Sequence, residues 1–273
     1  LDVIRDLDSS LVGSEMCIRD SFSAVKLKQT GDSKEVILDR TGLPKRKIPA
    51  LNHVQSRFRF DPNRPIQLYP LLADDLTSPI GAIDDIVYSL EVTGPPGVKF
   101  NLTDGLRGNL LSAHRLLSTR EMVFERLVVE NQILTESPPL ELTNEEKRKL
   151  LVRSLFRSHD AGMEEPYYLY RFCGTNNCTS NPFQILDQVV QYSLLERMGA
   201  VLYRLPLNPQ LYLRIRGLYP NPQQRHLVRD EFAAFIEATE TQQRKREHVK
   251  RINALKRERR RAAGRSHSAE ATG

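Results

Sequence analysis

Cys178 is the residue whose setting most suggests chemistry. It lies in Thr175-Asn176-Asn177-Cys178-Thr179-Ser180-Asn181, a polar stretch just ahead of an apolar, helix-patterned run. N–H groups at a helix start carry partial positive charge and favour thiolate over thiol. The same donors suit the oxyanion of an acyl-transfer intermediate. A thiolate nucleophile needs a base, normally histidine. Four histidines lie in the body: His53, His114, His159 and His226. His53 is the best placed, on the polar face of an expected strand, while His159 in Arg-Ser-His-Asp suits a helix end or the surface. On spacing alone, a cysteine so far from any histidine is more often a small buried hydrophobe. Cys173 and Cys178 form C-x4-C, too wide for a redox C-x-x-C and without the partners of a zinc site. A strained short-loop disulfide stays open for an oxidising compartment, but plain burial of Cys173 behind an aromatic segment is the favoured expectation. No metal or cofactor is expected.

The elements that must hold these residues can be read from periodicity. Val54, Ser56, Phe58 and Phe60 alternate with His53, Gln55, Arg57 and Arg59, as in a half-buried strand. Ile66 to Leu72 is a second extended run, and Ser78 to Val92 gives a third strand ending at Gly-Pro-Pro-Gly, 94–97. Ser118 with Glu121, and Thr143 with Glu146, form capping boxes. The first opens a helix through Leu134. The second opens a helix whose expected buried stripe is Leu150, Leu151, Leu155 and Phe156. Glu145 and Glu146 at its start and Arg157 at its end suit the helix dipole. Glu164 to Phe172 reads as extended. Pro182 suits a first helical position behind Asn181 or Ser180, opening a central buried helix to Met198 with Val189 and Val190 inaccessible. Strands first, then helices, imply α+β.

The ends differ from the body. The string Ser10 to Ser21 resembles translated sequencing-adapter read-through, so residues 1–21 are expected to be non-native and to pack poorly, with the natural N-terminus lost. Residues 22–225 are then the domain, and 226–273 a helix with a basic, partly disordered tail. The chain carries 40 Lys and Arg against 34 Asp and Glu, net +6. Residues 241–265 hold 11 basic and 2 acidic residues, net +9, so the rest sums to −3. The basic pI therefore reflects the tail and not a nucleic-acid-binding body. No aromatic residue interleaves with the tail's charges, which points to a solubilising segment with weak polyanion contact and no specific nucleic acid. No apolar run approaches the ~18 residues of a spanning helix.

Four stretches in order resemble the N-terminal periplasmic domain of the Lnb-type lipoprotein N-acyltransferase family. They are Asp85-Ile86-Val87-Tyr88, Gly105-Leu106-Arg107-Gly108-Asn109, Leu140 to Glu146, and Tyr168 to Thr179. The resemblance spans roughly Leu51 to Tyr219. It implies a papain-like, permuted cysteine-dependent fold in which the histidine precedes the cysteine. It implies Cys178 as nucleophile, His53 as its partner, and Asn177 and Thr179 as oxyanion or positioning residues. It further implies a periplasmic or envelope setting and a phospholipid or lipoprotein substrate. The leading expectation is a thiol-dependent acyltransferase. A cysteine peptidase or amidase on the same constellation differs only in using water as acceptor. A non-catalytic envelope or interaction module predicts no histidine within hydrogen-bond reach of Cys178.

Overall fold

The computed structural model describes residues 15–22, 27–30, 33–37, 53–70, 78–94, 102–162, 164–170, 175–200, 209–218 and 226–270. The expectations for Cys173 and for the Gly-Pro-Pro-Gly turn fall on residues outside these ranges.

The fold is α+β, organised on a curled, half-barrel sheet. In chain order the strands are β1 (Glu15–Phe22), β2 (Leu27–Thr30), β3 (Ser33–Val36), β4 (His53–Arg59), β5 (Ile66–Leu68), β6 (Gly81–Ile83), β7 (Asp85–Thr93), β8 (Leu110–Ser118), β9 (Ile133–Glu136), β10 (Pro166–Tyr167) and β11 (His226–Leu227). Seven of them form one antiparallel sheet in the order β10-β8-β7-β4-β1-β9-β11. Two two-stranded ribbons, β2-β3 and β5-β6, stand apart from it. The helices are α1 (Leu102–Arg107), α2 (Thr119–Val123), α3 (Asn144–Asp160), α4 (Ser180–Val189), α5 (Leu194–Ala200), α6 (Pro209–Ile215), α7 (Val228–Glu231), α8 (Ala233–Glu237) and α9 (Thr239–Glu270).

Both faces of the sheet are covered. Val54, Phe58 and Tyr88 pack against Leu150 and Leu151 of α3, Phe183 and Leu186 of α4, and Tyr212 of α6. Val87 and Leu134 pack on the other side with Met122, Phe124, Leu127, Val228 and Ile236. The alternation in β4 is therefore real, but its polar face is not wet: Gln55 and Arg57 are each 1 % exposed. Arg57 is held there by three carboxylates. Its Nε is 2.8 Å from Asp85, one terminal nitrogen is 3.0 Å from Glu136, and the other is 2.7 Å from Glu231. One guanidinium thus ties β4 to β7, β9 and α7.

Several expectations change. Residues 15–22 do pack: β1 lies between β4 and β9, with Met16 opposite Phe58 and Ile18 opposite Ser56. Backbone pairing needs only an extended, proline-free segment, and the alternation of Met16 and Ile18 suits one. The helix from Ser118 is capped as expected, with Ser118 Oγ accepting from Glu121 N, but it passes into a π-helical turn, Phe124–Val129, and stops. Residues 133–136 are strand. The Thr143–Glu146 capping box forms in both directions. Leu155 and Phe156, however, are exposed, and Ser154 takes the buried place one turn after Leu150.

The expected helix from Asn181 to Met198 is two helices, broken at Val190, whose ψ of 133° is extended. Val189 and Val190 are only half-buried. The reason is local. Two β-branched residues weaken the helix, and Ser193-Leu-Leu-Glu196 is a capping box that starts α5: Ser193 N donates to Glu196 at 2.7 Å. Pro182 is the third helical residue rather than the first, still within the turn where no intrahelical N–H is needed. At the C-terminal end, β11 joins β9 and Val228 is fully buried, so the body continues to Ile236. The tail is helical through Glu270. Its first turns touch the body, with Arg244 donating to both oxygens of Glu121 and stacking on Phe124 at 4.0 Å. Among the described residues, no helix is long and apolar enough to cross a membrane.

Candidate active site

The turn that presents Cys178 is built by Asn177, which is fully buried. Asn177 Oδ1 accepts from the N–H of Thr179 at 2.9 Å and of Ser180 at 2.7 Å, while its Nδ2 donates to the carbonyl of Leu169 at 2.8 Å. One side chain caps α4 and pins the turn to the segment after β10. Asn177 therefore positions the cysteine. The Thr179 N–H is engaged by that cap. Cys178 packs against the buried cluster of Leu90, Leu110, Tyr167 and Leu169, with Tyr167 Oη 3.7 Å from Cys178 Sγ.

The loop is braced from behind. Tyr88 Oη donates to Asn181 Oδ1 at 2.5 Å and meets His114 Nδ1 at 2.7 Å. His114 Nε2 meets Glu165 at 2.8 Å, and Ser112 Oγ donates to the same carboxylate at 2.6 Å. Burial keeps His114 below its ordinary pKa despite Glu165. Ser112, Arg157 and His114 overcome burial to hold Glu165 at about 2. Gly108 allows the neighbouring turn to dock here. Its φ of 77° suits glycine, and a Cβ would lie 2.2 Å from the Tyr168 ring. Leu169 N then donates to Gly105 O at 2.8 Å.

His53, the first residue of β4, is brought to Cys178, and the two share a side-chain hydrogen bond. His114 instead meets Tyr88 and Glu165, and His226 lies 4.0 Å from Glu231. His53 Nε2 lies 3.2 Å from a Glu91 oxygen and 3.0 Å from Ser89 Oγ. Gln55 Nε2 is 3.3 Å away and a guanidinium nitrogen of Arg126 is 3.4 Å away. Arg126 also donates to Glu91 and, at 2.8 Å, to Glu130. The thiol meets the imidazole, and the imidazole, the Glu91 carboxylate and the Arg126 guanidinium form a three-way cluster behind it.

Its electrostatics follow from that order. Burial disfavours the imidazolium, but Glu91 and the sulfur charge outweigh it and raise His53 to about 9. Burial pushes the Cys178 thiol up, yet the charge and hydrogen bond of His53 and the Tyr167 hydroxyl bring it below its ordinary value. Burial likewise disfavours the Glu91 carboxylate, and His53 and Arg126 together hold it well below the carboxylate range. Burial and the neighbouring sulfur charge push Tyr167 up, so it stays a donor. The raised imidazole and the lowered thiol both favour the thiolate–imidazolium form over the neutral pair.

Glu91, Arg126 and Tyr167 were not singled out by the sequence. Glu91 had a signal: period two places Val87, Ser89 and Glu91 on one face of β7. Tyr167 lies in the aromatic run 167–170. Arg126 reaches Glu91 from the π-helical turn, a geometry that periodicity does not foretell.

Glu136, His226 and Glu231 also converge, each with a ligand atom within 4.8 Å of the others. Arg57 and Arg59 already pair with both carboxylates, so guanidinium groups stand where a metal ion would. No family model matches the chain, and no curated protein or solved structure is significantly similar to it.

Proposed function

We propose that the domain is a cysteine-dependent acyltransferase acting on lipid or lipoprotein acyl groups of a bacterial envelope, with Cys178 as nucleophile, His53 as acid and base, and Glu91 as the group that orients His53. The observation that carries this is the chain Cys178–His53–Glu91, in which the imidazole beside the sulfur is itself held by a carboxylate at 3.2 Å. In this mechanism the Cys178 thiolate attacks an ester carbonyl carbon. The C–O bond breaks, His53 protonates the departing alcohol, and a thioester remains on Cys178. An acceptor amine then attacks the thioester while His53 takes its proton, and the thiolate is released with the amide formed. Tyr167 Oη, directed at the sulfur, is placed to donate near the developing oxyanion. The phospholipid or lipoprotein substrate, the papain-like classification and the envelope setting rest on the sequence resemblance.

The test is trapping of the covalent intermediate. Incubation with a phospholipid or short acyl ester, followed by intact-mass measurement, should show one acyl adduct, mapped to Cys178. Cys178→Ala should show none. Adduct formation on another residue, or none with any ester, would remove the proposal. Release of the adduct by water as fast as by an amine would instead favour the peptidase or amidase alternative.

A further inference from the structure

A cavity of about 510 Å³ opens at the far end of α4 from Cys178, between α3 and the start of α5. Ten residues of helix separate the two, about 15 Å at 1.5 Å per residue. Its wall carries Arg148, Lys149, Arg153 and Arg197 against a single carboxylate, Asp187. That carboxylate is spoken for: Arg216 holds both its oxygens at 2.7 Å. Glu145 pairs with Arg148 and Lys149. Arg153 and Arg197 have no carboxylate partner among the described residues, so the cavity keeps uncompensated positive charge.

The rim is the second observation. Leu194 and Leu195, at the start of α5, are 78 % and 80 % exposed, and Leu155 and Phe156 on α3 are also exposed. Phe156 lies one turn from Val152 of the cavity wall, and Leu194 and Leu195 lie within one turn of Arg197. Isolated exposed leucines are ordinary, but four large apolar side chains around a cationic cavity match the two halves of a lipid: phosphate in the cavity, acyl region against the rim.

We infer that this face docks on an anionic phospholipid surface, with a lipid phosphate entering the cavity beside Arg153 and Arg197 while Leu194 and Leu195 insert at the headgroup boundary. This goes beyond the thiol chemistry and does not depend on it. A docked face fixes the height of the domain over a bilayer, whereas acylation of Cys178 does not by itself require one.

The experiment measures partition of the full chain onto vesicles of phosphatidylcholine alone or with one third phosphatidylglycerol. Binding should need the anionic lipid. Arg153→Ala with Arg197→Ala should weaken it about thirtyfold, the loss expected for two cations at an anionic surface. Leu194→Ser with Leu195→Ser should weaken it too, and should do so at 0.5 M salt, where tail electrostatics are screened. Cys178→Ser should bind as the parent does, which separates failure of this inference from failure of the catalytic proposal. Equal binding by the arginine pair variant would overturn the inference. So would displacement by millimolar inorganic phosphate with the leucine pair variant unaffected, since that describes a small-anion site.

Discussion

Glu91 is the residue on which the site's ionisation turns. Its carboxylate sits between two cations, His53 and Arg126. Because the folded pKa of His53 is raised, the imidazolium is the favoured form. Its stabilising contribution is complete below pH 6.5 and is lost as pH rises through about 9. Alkylation of Cys178 should therefore plateau well below the pH at which a free thiol reacts, and acyl transfer should decline above pH 9. Glu91→Gln leaves Arg126 beside His53 without its counter-charge, which should drop the His53 pKa and lower acylation at pH 7 by roughly 100-fold. The pH profile checks this: an alkaline limb still near 9 in Glu91→Gln would show that Glu91 does not set the imidazole. The melting temperature should fall as well, because Glu91→Gln leaves the largely buried His53 and Arg126 without the carboxylate between them.

At the scale of elements, Asn177 has two tasks, capping α4 and binding the Leu169 carbonyl. Asn177→Ala should cost about 1 kcal/mol for the cap, and more because a buried carbonyl loses its donor. It should also let the Cys178 turn drift, so its alkylation rate at neutral pH should fall while Asn177→Asp retains the cap. Unchanged labelling in Asn177→Ala would mean that α4 alone places the sulfur.

Much of this level was legible beforehand. The Thr143–Glu146 capping box, the one-way cap at Ser118, the alternation of β4 and the polar turn before α4 all follow from local rules. What escaped was either cooperative or hidden by composition. The break at Val190 depends on a further capping box inside what looked like one apolar helix. The wet face assigned to β4 is dry because α7 and the π-helical turn cover it, and those elements lie far away in sequence. His53 could be nominated, but its carboxylate could not, because only strand pairing brings β7 against β4.

For the molecule as a whole, two features bind distant segments. The first is Arg57, buried among Asp85, Glu136 and Glu231. Arg57→Met should destabilise by about 3–5 kcal/mol, since it takes the main counter-charge from Glu136, which water does not reach. Denaturant unfolding measures this, and a loss below 1 kcal/mol would mean the carboxylates are rehydrated. The second is β1. Seven of its residues pair with β4 and four with β9, so removing residues 1–22 unpairs the middle of the sheet. A fall in melting temperature is expected, in contrast to the neutrality expected of a segment that does not pack. Identical melting curves would return β1 to the status of a bystander.

The place of β1 carries one more consequence. It sits between two strands that are 74 residues apart at their nearest ends, Arg59 and Ile133, and it joins them through main-chain bonds. Main-chain bonds do not specify a particular sequence. A chain lacking its first 22 residues would hold an open cleft bordered by two unpaired edges, and any extended segment of suitable length could complete it in trans. A synthetic Glu15–Phe22 peptide should restore the stability of the truncated chain, and at high concentration truncated chains should recruit one another's strands.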